Sequence, residues 1–359
     1  MRKLRLPLIL ALFLPGGVYA QKRVSDSSGA GVNRCVLTQR TKGSSLQRSA
    51  EAIDLRVIKR DPDGGVMVGG SVFLNDRKGL ILRSNGKDLD GILIPKVMDV
   101  DDFAYITRDV GWRLYTGTLY ATSDGGACWR EVFTHHGLWN IHFADRQNGW
   151  LTGRDGIIYR TDDGGASWRR QESGTRLDLW EISSIDSLHA WVIGRSMQSS
   201  SPPKKSRTAL IATLDGGRTW QTLVTGETIS LHTVSFVNSS EGWGIDVGNN
   251  IVRTVDGGRT WDVRRGGDRA KAVWRSIFFL NPREGWVGGD GILHTKDGGA
   301  TWEVQLQNEQ PDAPSIQAIF FSDSQKGWAV TTQELLYTSD AGLTWDMIFS
   351  DPRITTAQR

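Results

Sequence analysis

The sequence predicts an all-β protein, a seven-bladed β-propeller, on three observations. First, an octet of the form Thr-x-Asp-Gly-Gly-x-x-Trp recurs at Thr122–Trp129, Thr161–Trp168, Thr213–Trp220, Thr254–Trp261, Thr295–Trp302 and, as TSDAGLTW, Thr338–Trp345. Its aspartates (Asp124, Asp163, Asp215, Asp256, Asp297, Asp340) stand 39, 52, 41, 41 and 43 residues apart, and self-similarity at such a period marks an array of equivalent supersecondary units. Second, a Gly-Trp or Ala-Trp word precedes each octet, at Gly111-Trp112, Gly149-Trp150, Ala190-Trp191, Gly242-Trp243, Gly285-Trp286 and Gly327-Trp328. Third, short alternating apolar pieces and turns about every 10 residues fit antiparallel β-structure, with no helical period of useful length. Four strands in each ~40-residue unit is the arithmetic of a propeller blade.

Met1–Ala20 has a basic start (Arg2, Lys3, Arg5), the apolar run Leu6–Leu14 and a small-x-small-like end, Val18-Tyr19-Ala20. It reads as a secretory signal peptide, too short for a membrane span. The expected location is therefore the periplasm or the exterior, with no spanning helix. The chain carries +3 at pH 7, and loss of three basic residues with the leader gives 3 − 3, a balance near zero. A nucleic-acid binder keeps a strong basic excess, so that class is set aside. Residues 21–50 form a Ser/Gly/Arg/Gln-rich arm with one strand-like piece, Cys35–Gln39. Cys35 and Cys128 can pair in an oxidising compartment, but nothing in their spacing brings them together, and the pairing is left open.

The propeller is expected over residues 51–350, with a tail at 351–359. Its first corner is degenerate: Ser84-Asn85-Gly86-Lys87 keeps an Asn-Gly turn but lacks the tryptophan. In every octet Asp is turn chemistry, its carboxylate taking backbone N–H groups ahead while glycine supplies positive φ. Calcium is not implied, because the alternating Asp-x-Asp set of a calcium loop is missing. No His/Cys/Glu cluster has metal spacing, and no cofactor is expected. The twelve tryptophans in phase with the two words are assigned to packing between blades; Trp139, Trp180 and Trp274 fall outside both.

If the octet joins the third and fourth strands, the loops that stop repeating emerge together on the opposite face, where function is expected. Two residues before the apolar position of each first strand stand Asp101, Trp139, Trp180, His232, Arg275 and Gln317, placed to ring the channel mouth. Arg154, Arg195, Arg176, Arg269 and Lys271 lie in the neighbouring loops. Arginine with aromatics is the composition of protein-interface anchors and of carboxylate or phosphate recognition.

The Ser/Thr-x-Asp-x-Gly-x-x-Trp corners resemble Asp-box (BNR) repeats. Combined with Phe-x-Asp-x-x-x-Gly-Trp-x-x-Gly, as in Phe143–Gly153 (FADRQNGWLTG), the chain resembles the photosystem II assembly and stability factor family over most of Ile53–Phe349. The resemblance implies an exported, monomeric propeller scaffold that binds protein partners, such as a membrane-complex subunit, through an arginine-rich face and without catalysis. Sialidases, xyloglucan-type glucanases and sortilin-like receptors carry similar corners. The rival readings are thus an exported glycoside hydrolase and a glycan-binding surface module. A hydrolase needs two carboxylates flanking one bond; the candidates on the variable face are Asp155, Asp178, Asp246 and Asp290, with Asp246 and Asp290 more simply turn formers. A sialidase's early Arg-Ile-Pro has only Ile94-Pro95-Lys96 as its counterpart.

Overall fold

Seven antiparallel sheets follow one another along the chain, four strands each apart from two sheets of five. The computed structural model describes residues 35–97, 99–196, 208–225, 228–267, 272–307 and 314–353. The expected signal segment, Arg269, Lys271 and the Pro/Ser-rich insertion at 197–207 lie outside the described residues. Blades 1 to 7 occupy 52–94, 102–134, 138–172, 178–225, 231–265, 274–307 and 318–350, each with its first strand innermost. The seven-bladed propeller read from the repeats is the fold.

Local chemistry makes the corners. In blade 5 the Thr254 hydroxyl donates to Asp256 Oδ1 at 2.8 Å and accepts the Gly258 N–H at 2.9 Å. The other side of the turn closes when Asp256 Oδ1 takes the Thr260 N–H at 2.9 Å and Oδ2 takes the Thr260 hydroxyl at 2.6 Å. Gly257 and Gly258 sit at φ 76° and 98°, a region that costs side-chain-bearing residues but not glycine. The Gly257 N–H then reaches Ser240 O at 2.8 Å, in the loop between the first two strands. The corners and these first loops therefore share one face, and the variable loops emerge on the other. At the degenerate corner, Asn85 Oδ1 accepts the Lys87 and Asp88 N–H groups at 2.9 and 2.7 Å, so the turn forms without a tryptophan.

The repeated words interlock across the seams. Trp191 of blade 4 stacks on Phe236 of blade 5 with centroids 3.8 Å apart, and Trp261 meets the edge of Phe236 at 6.0 Å. The same sandwich recurs as Trp243–Phe279–Trp302 and Trp286–Phe321–Trp345. The Trp191 indole N–H also donates to Gly257 O of the next corner at 2.9 Å, as Trp243 does to Gly298 O. All six tryptophans of the Gly/Ala-Trp word are buried, but corner residues Trp261, Trp302 and Trp345 are only partly so. That corrects the expectation of twelve core tryptophans. The corner indoles lie over their own turns near the outer edge, Trp261 donating to Gly258 O at 3.0 Å.

The arm is structured and belts three blades. Val36–Leu37 pairs with the outer strand of blade 2, and Gln39–Lys42 pairs with the outer strand of blade 1. A helix then follows at Gly43–Ser49, which the sequence reading did not anticipate because seven residues are too few to show a period. Its Leu46 is fully buried with Phe349 of blade 7, and Gln47 Nε2 donates to Ser350 Oγ at 3.1 Å. Cys35 and Cys128 are disulfide-bonded, with Cα atoms 5.5 Å apart, which settles the pairing left open. Cys128 takes the place that Ser or Thr holds in the other corners. The ring itself closes by blade 7 packing on blade 1: Trp328, Val330 and Phe349 join Leu55, Val66 and Val68 in one cluster, and the Leu55 N–H donates to Thr332 O at 2.8 Å.

One residue breaks the pattern. Arg113 is fully buried where Leu151, Val192 and Val287 follow the same tryptophan in other blades. Its guanidinium lies 4.1 Å from the Tyr120 ring and 5.3 Å from Trp129, and none of its nitrogens meets a protein acceptor. Burial lowers its pKa to about 10. Desolvation of an uncompensated charge outweighs the ~1–2 kcal/mol a ring-face contact returns. Arg113→Leu is therefore expected to keep the fold and raise Tm by about 2–4 °C for each kcal/mol recovered, as read by scanning calorimetry; a lower Tm contradicts this. A second expectation concerns acid. Hydrogen bonds from Thr301 and Thr344 hold Asp297 and Asp340 down to about 2. Since the unfolded carboxylate titrates near ~4, the stability these corners add is complete above that pH and is lost as pH falls toward 2. An acid titration followed by circular dichroism checks the window, and Asp297→Asn is expected to shrink the loss.

Candidate functional site

The inner strands carry a β-bulge at one repeated position. Register shifts between Leu55 and Val57, Leu138 and Asn140, Leu179 and Glu181, Leu231 and Thr233, and Trp274 and Ser276 leave Arg56, Trp139, Trp180, His232 and Arg275 as the extra residues. In blade 2 the Asp101 N–H donates to Leu114 O while Asp102 pairs with Leu114, and in blade 7 Gln317 and Ala318 stand in the same relation to Val330. An extra residue bends the strand and re-aims its own side chain. The six residues singled out by phase are thus bulged residues at one rim. Arg56 is the seventh and was missed; it stands two residues before Ile58, the same signal, in a blade without the repeated octet.

Blades 3 to 5 gather the predicted residues into contact. The Trp139 and Trp180 rings lie 4.5 Å apart, and the Arg154 guanidinium stands over Trp139 at 5.1 Å. Asn140 Nδ2 donates to Trp180 O at 2.6 Å, tying the two inner strands. Arg195 Nη2 reaches His232 Nδ1 at 3.2 Å. Trp180 is 37 % exposed, a large indole left open to solvent. Arg176 and Arg275 are exposed on the same rim, whereas Gln317 turns its amide back onto Ser315 O at 3.0 Å. Arg56 is engaged by Asp54 and Asp99, both at 2.5 Å. Among the described residues Arg154, Arg176 and Arg275 have no hydrogen-bond or ion-pair partner for their guanidiniums.

Beneath this rim, inner strands that cannot pair by ladders exchange side-chain acceptors instead. Asp102, buried, accepts the Ile141 N–H at 2.9 Å and Lys59 Nζ at 3.0 Å. Ser235 and Ser276 take the Phe279 and Ile319 N–H groups of the next blade at 3.0 and 3.2 Å. Glu181 does this between blades 4 and 5, accepting the Thr233 hydroxyl at 2.8 Å and the Val234 N–H at 3.2 Å. Enclosure in the channel pushes Glu181 up to about 7, against those hydrogen bonds and the charges of Lys59 and Arg195. His142, bonded to Ser184 Oγ at 2.7 Å, is held down to about 3 by burial and is neutral.

Three of the four carboxylates weighed for sugar hydrolysis, Asp178, Asp246 and Asp290, are tied up by loop groups. Asp246 accepts the Asn250 N–H and side-chain amide, both at 2.8 Å. Asp290 accepts the Val273 N–H at 2.9 Å and the Ser315 hydroxyl at 2.5 Å. Asp178 accepts the Asp155 N–H at 3.1 Å. Among the described residues no three His, Cys, Asp or Glu side chains form a metal-binding group, and no helix is long and apolar enough to cross a membrane.

These corners and this rim define an Asp-box (BNR) repeat propeller. The chain is a propeller similar to the photosystem II assembly factors: residues 217–356 match the model of the family described as Photosynthesis system II assembly factor YCF48. A search of the curated proteins finds no match. Among solved structures, "YCF48 bound to D1 peptide" aligns at 18 % identity and TM-score 0.58, covering 84 % of this chain and 96 % of that one. YCF48 from Cyanidioschyzon merolae aligns at 21 % identity and TM-score 0.51, covering 68 % and 83 %. The GH74 xyloglucanase from Xanthomonas campestris shares the fold at 12 % identity and TM-score 0.58, covering 88 % of this chain and 56 % of the enzyme.

The raised Glu181 carboxyl gives a signed expectation. The folded state holds this proton up to pH 7 whereas the unfolded state releases it near ~4.3, so stability falls as pH rises through that interval and levels off above it. Glu181→Gln is expected to remove the slope and to add on the order of 1–2 kcal/mol above pH 7, discounted for solvent in the channel. Urea unfolding at pH 5 and pH 8 measures both; an unchanged pH difference in the variant contradicts the assignment.

Proposed function

We propose that this protein is an exported, non-catalytic propeller scaffold that binds a protein partner through the bulged rim of blades 3 to 6, in the assembly of an envelope or membrane complex. The observation that carries the reading is the Arg154–Trp139–Trp180 stack beside Arg195 and His232. Exposed indole paired with guanidinium anchors apolar and carboxylate groups of a partner together, as interface hot spots do. The match to the assembly-factor family and the likeness to YCF48 bound to D1 peptide support a peptide as the ligand class. The Cys35–Cys128 disulfide supports an oxidising compartment, in line with the basic and apolar leader.

The hydrolase reading draws on the shared fold of the xyloglucanase, but fold alone does not carry chemistry. The carboxylates of Asp178, Asp246 and Asp290 serve loop geometry here. The test is affinity capture from envelope extract with wild type and an Arg154→Glu/Arg195→Glu/Arg275→Glu variant, followed by mass spectrometry. Reversing three rim charges is expected to weaken capture at least ~30-fold, since each desolvated charge contact is worth about 2 kcal/mol or more. Unchanged capture overturns the proposal, and so does turnover of xyloglucan or aryl-glycosides by the wild-type protein.

A further inference from the structure

The channel has a second mouth at the opposite ends of the inner strands, on the face that holds the Asp-box corners. A cleft of about 270 Å³ opens there, bounded by Lys59, Arg60, His142, Asp145 and Arg146. Its charges are unequally committed. Asp145 is spent on its own turn, accepting the Gln147 and Asn148 N–H groups at 2.7 and 2.8 Å and the Asn148 amide at 3.0 Å. Lys59 is held by Asp102, and His142 is uncharged and bonded to Ser184. Arg60 and Arg146, from blades 1 and 3, are exposed, and among the described residues neither guanidinium has a hydrogen-bond or ion-pair partner. The contrast with the cleft under the N-terminal arm is direct. That cleft also gathers cations, but Arg40 is spent on Asp124 O, Lys42 on Asp90, Arg83 on Asp61 and Arg108 on Asp63.

We propose that the cleft at the Asp-box end of the channel is a binding site for a small multivalent oxyanion, bearing phosphate or carboxylate groups, clamped between Arg60 and Arg146. Two guanidinium-bearing residues from different blades border one concave opening, and planar guanidinium forks suit bidentate capture of an oxyanion. Asp145 does not compete for the forks, because its oxygens are already directed at N–H groups of its own loop. The site is independent of the rim on the other face.

Isothermal titration of the full mature chain with inorganic phosphate and, separately, with citrate tests it, with sodium chloride at matched ionic strength as control. Saturable binding of phosphate or of citrate, absent with chloride, is expected, and which of the two binds identifies the oxyanion class. In the Arg60→Gln/Arg146→Gln variant the affinity is expected to fall at least ~10-fold, the loss of one charge-assisted hydrogen bond or more. Arg154→Gln/Arg195→Gln on the other rim is expected to bind as wild type. Thermal melts without ligand verify that each variant is folded, and the single Arg146→Gln, whose residue is exposed, serves if the double variant is not. No binding of either anion, or equal affinity in wild type and the Arg146→Gln variant, overturns the proposal.

Discussion

The seam between neighbouring blades is the contact on which this molecule depends. An indole of one blade lies flat on a phenylalanine of the next, whose edge meets the corner indole of its own blade. The indole N–H is satisfied by a corner carbonyl across the seam. Each such aromatic pair adds about 0.5–1.5 kcal/mol beyond the area it buries, and the contact joins both repeated words and the apolar first strand at one point. The second glycine of the corner is part of it: a Cβ on Gly258 would stand 2.9 Å from Leu210 of the preceding blade. Turn chemistry and blade packing are therefore one constraint.

That constraint separates the faces. The corner side is fixed by hydrogen bonds that blades 2 to 7 repeat, and the first loops are locked by side-chain acceptors such as Asp145, Asp186, Asn238, Asn281 and Asp323, each taking two backbone N–H groups. On the other side the inner strands bulge, and the bulged residue changes around the ring, with arginine and tryptophan each used twice. A uniform backbone device thus presents a variable set of side chains, the arrangement by which a scaffold gains a specific surface without altering its core.

Much of this was legible in the residues. The six octets and the degenerate Asn85 corner gave the blade count and the placement of the corners, and the phase before each inner strand picked out Trp139, Trp180, His232 and Arg275. The bulge itself was not legible, because one extra residue in a short strand leaves no mark in an alternating pattern. Arg56 escaped because its blade lacks the octet from which the phase was counted. The belt formed by residues 36–49 depends on pairing with strands far along the chain, and Cys35 meets Cys128 only through that pairing, across a separation of 93 residues. Glu181, between two bulged strands, reads as an ordinary surface glutamate until the next blade closes over it.

The central claim is that one rim recognises a protein partner and the corner face does not. It is tested most directly by site-specific photo-crosslinking, with benzoylphenylalanine placed at Trp180 on the rim or at Lys296, an exposed corner position of blade 6. After irradiation in envelope extract, a discrete covalent adduct from position 180 and none from position 296 is the predicted result. An adduct from position 296 with none from position 180 would contradict it.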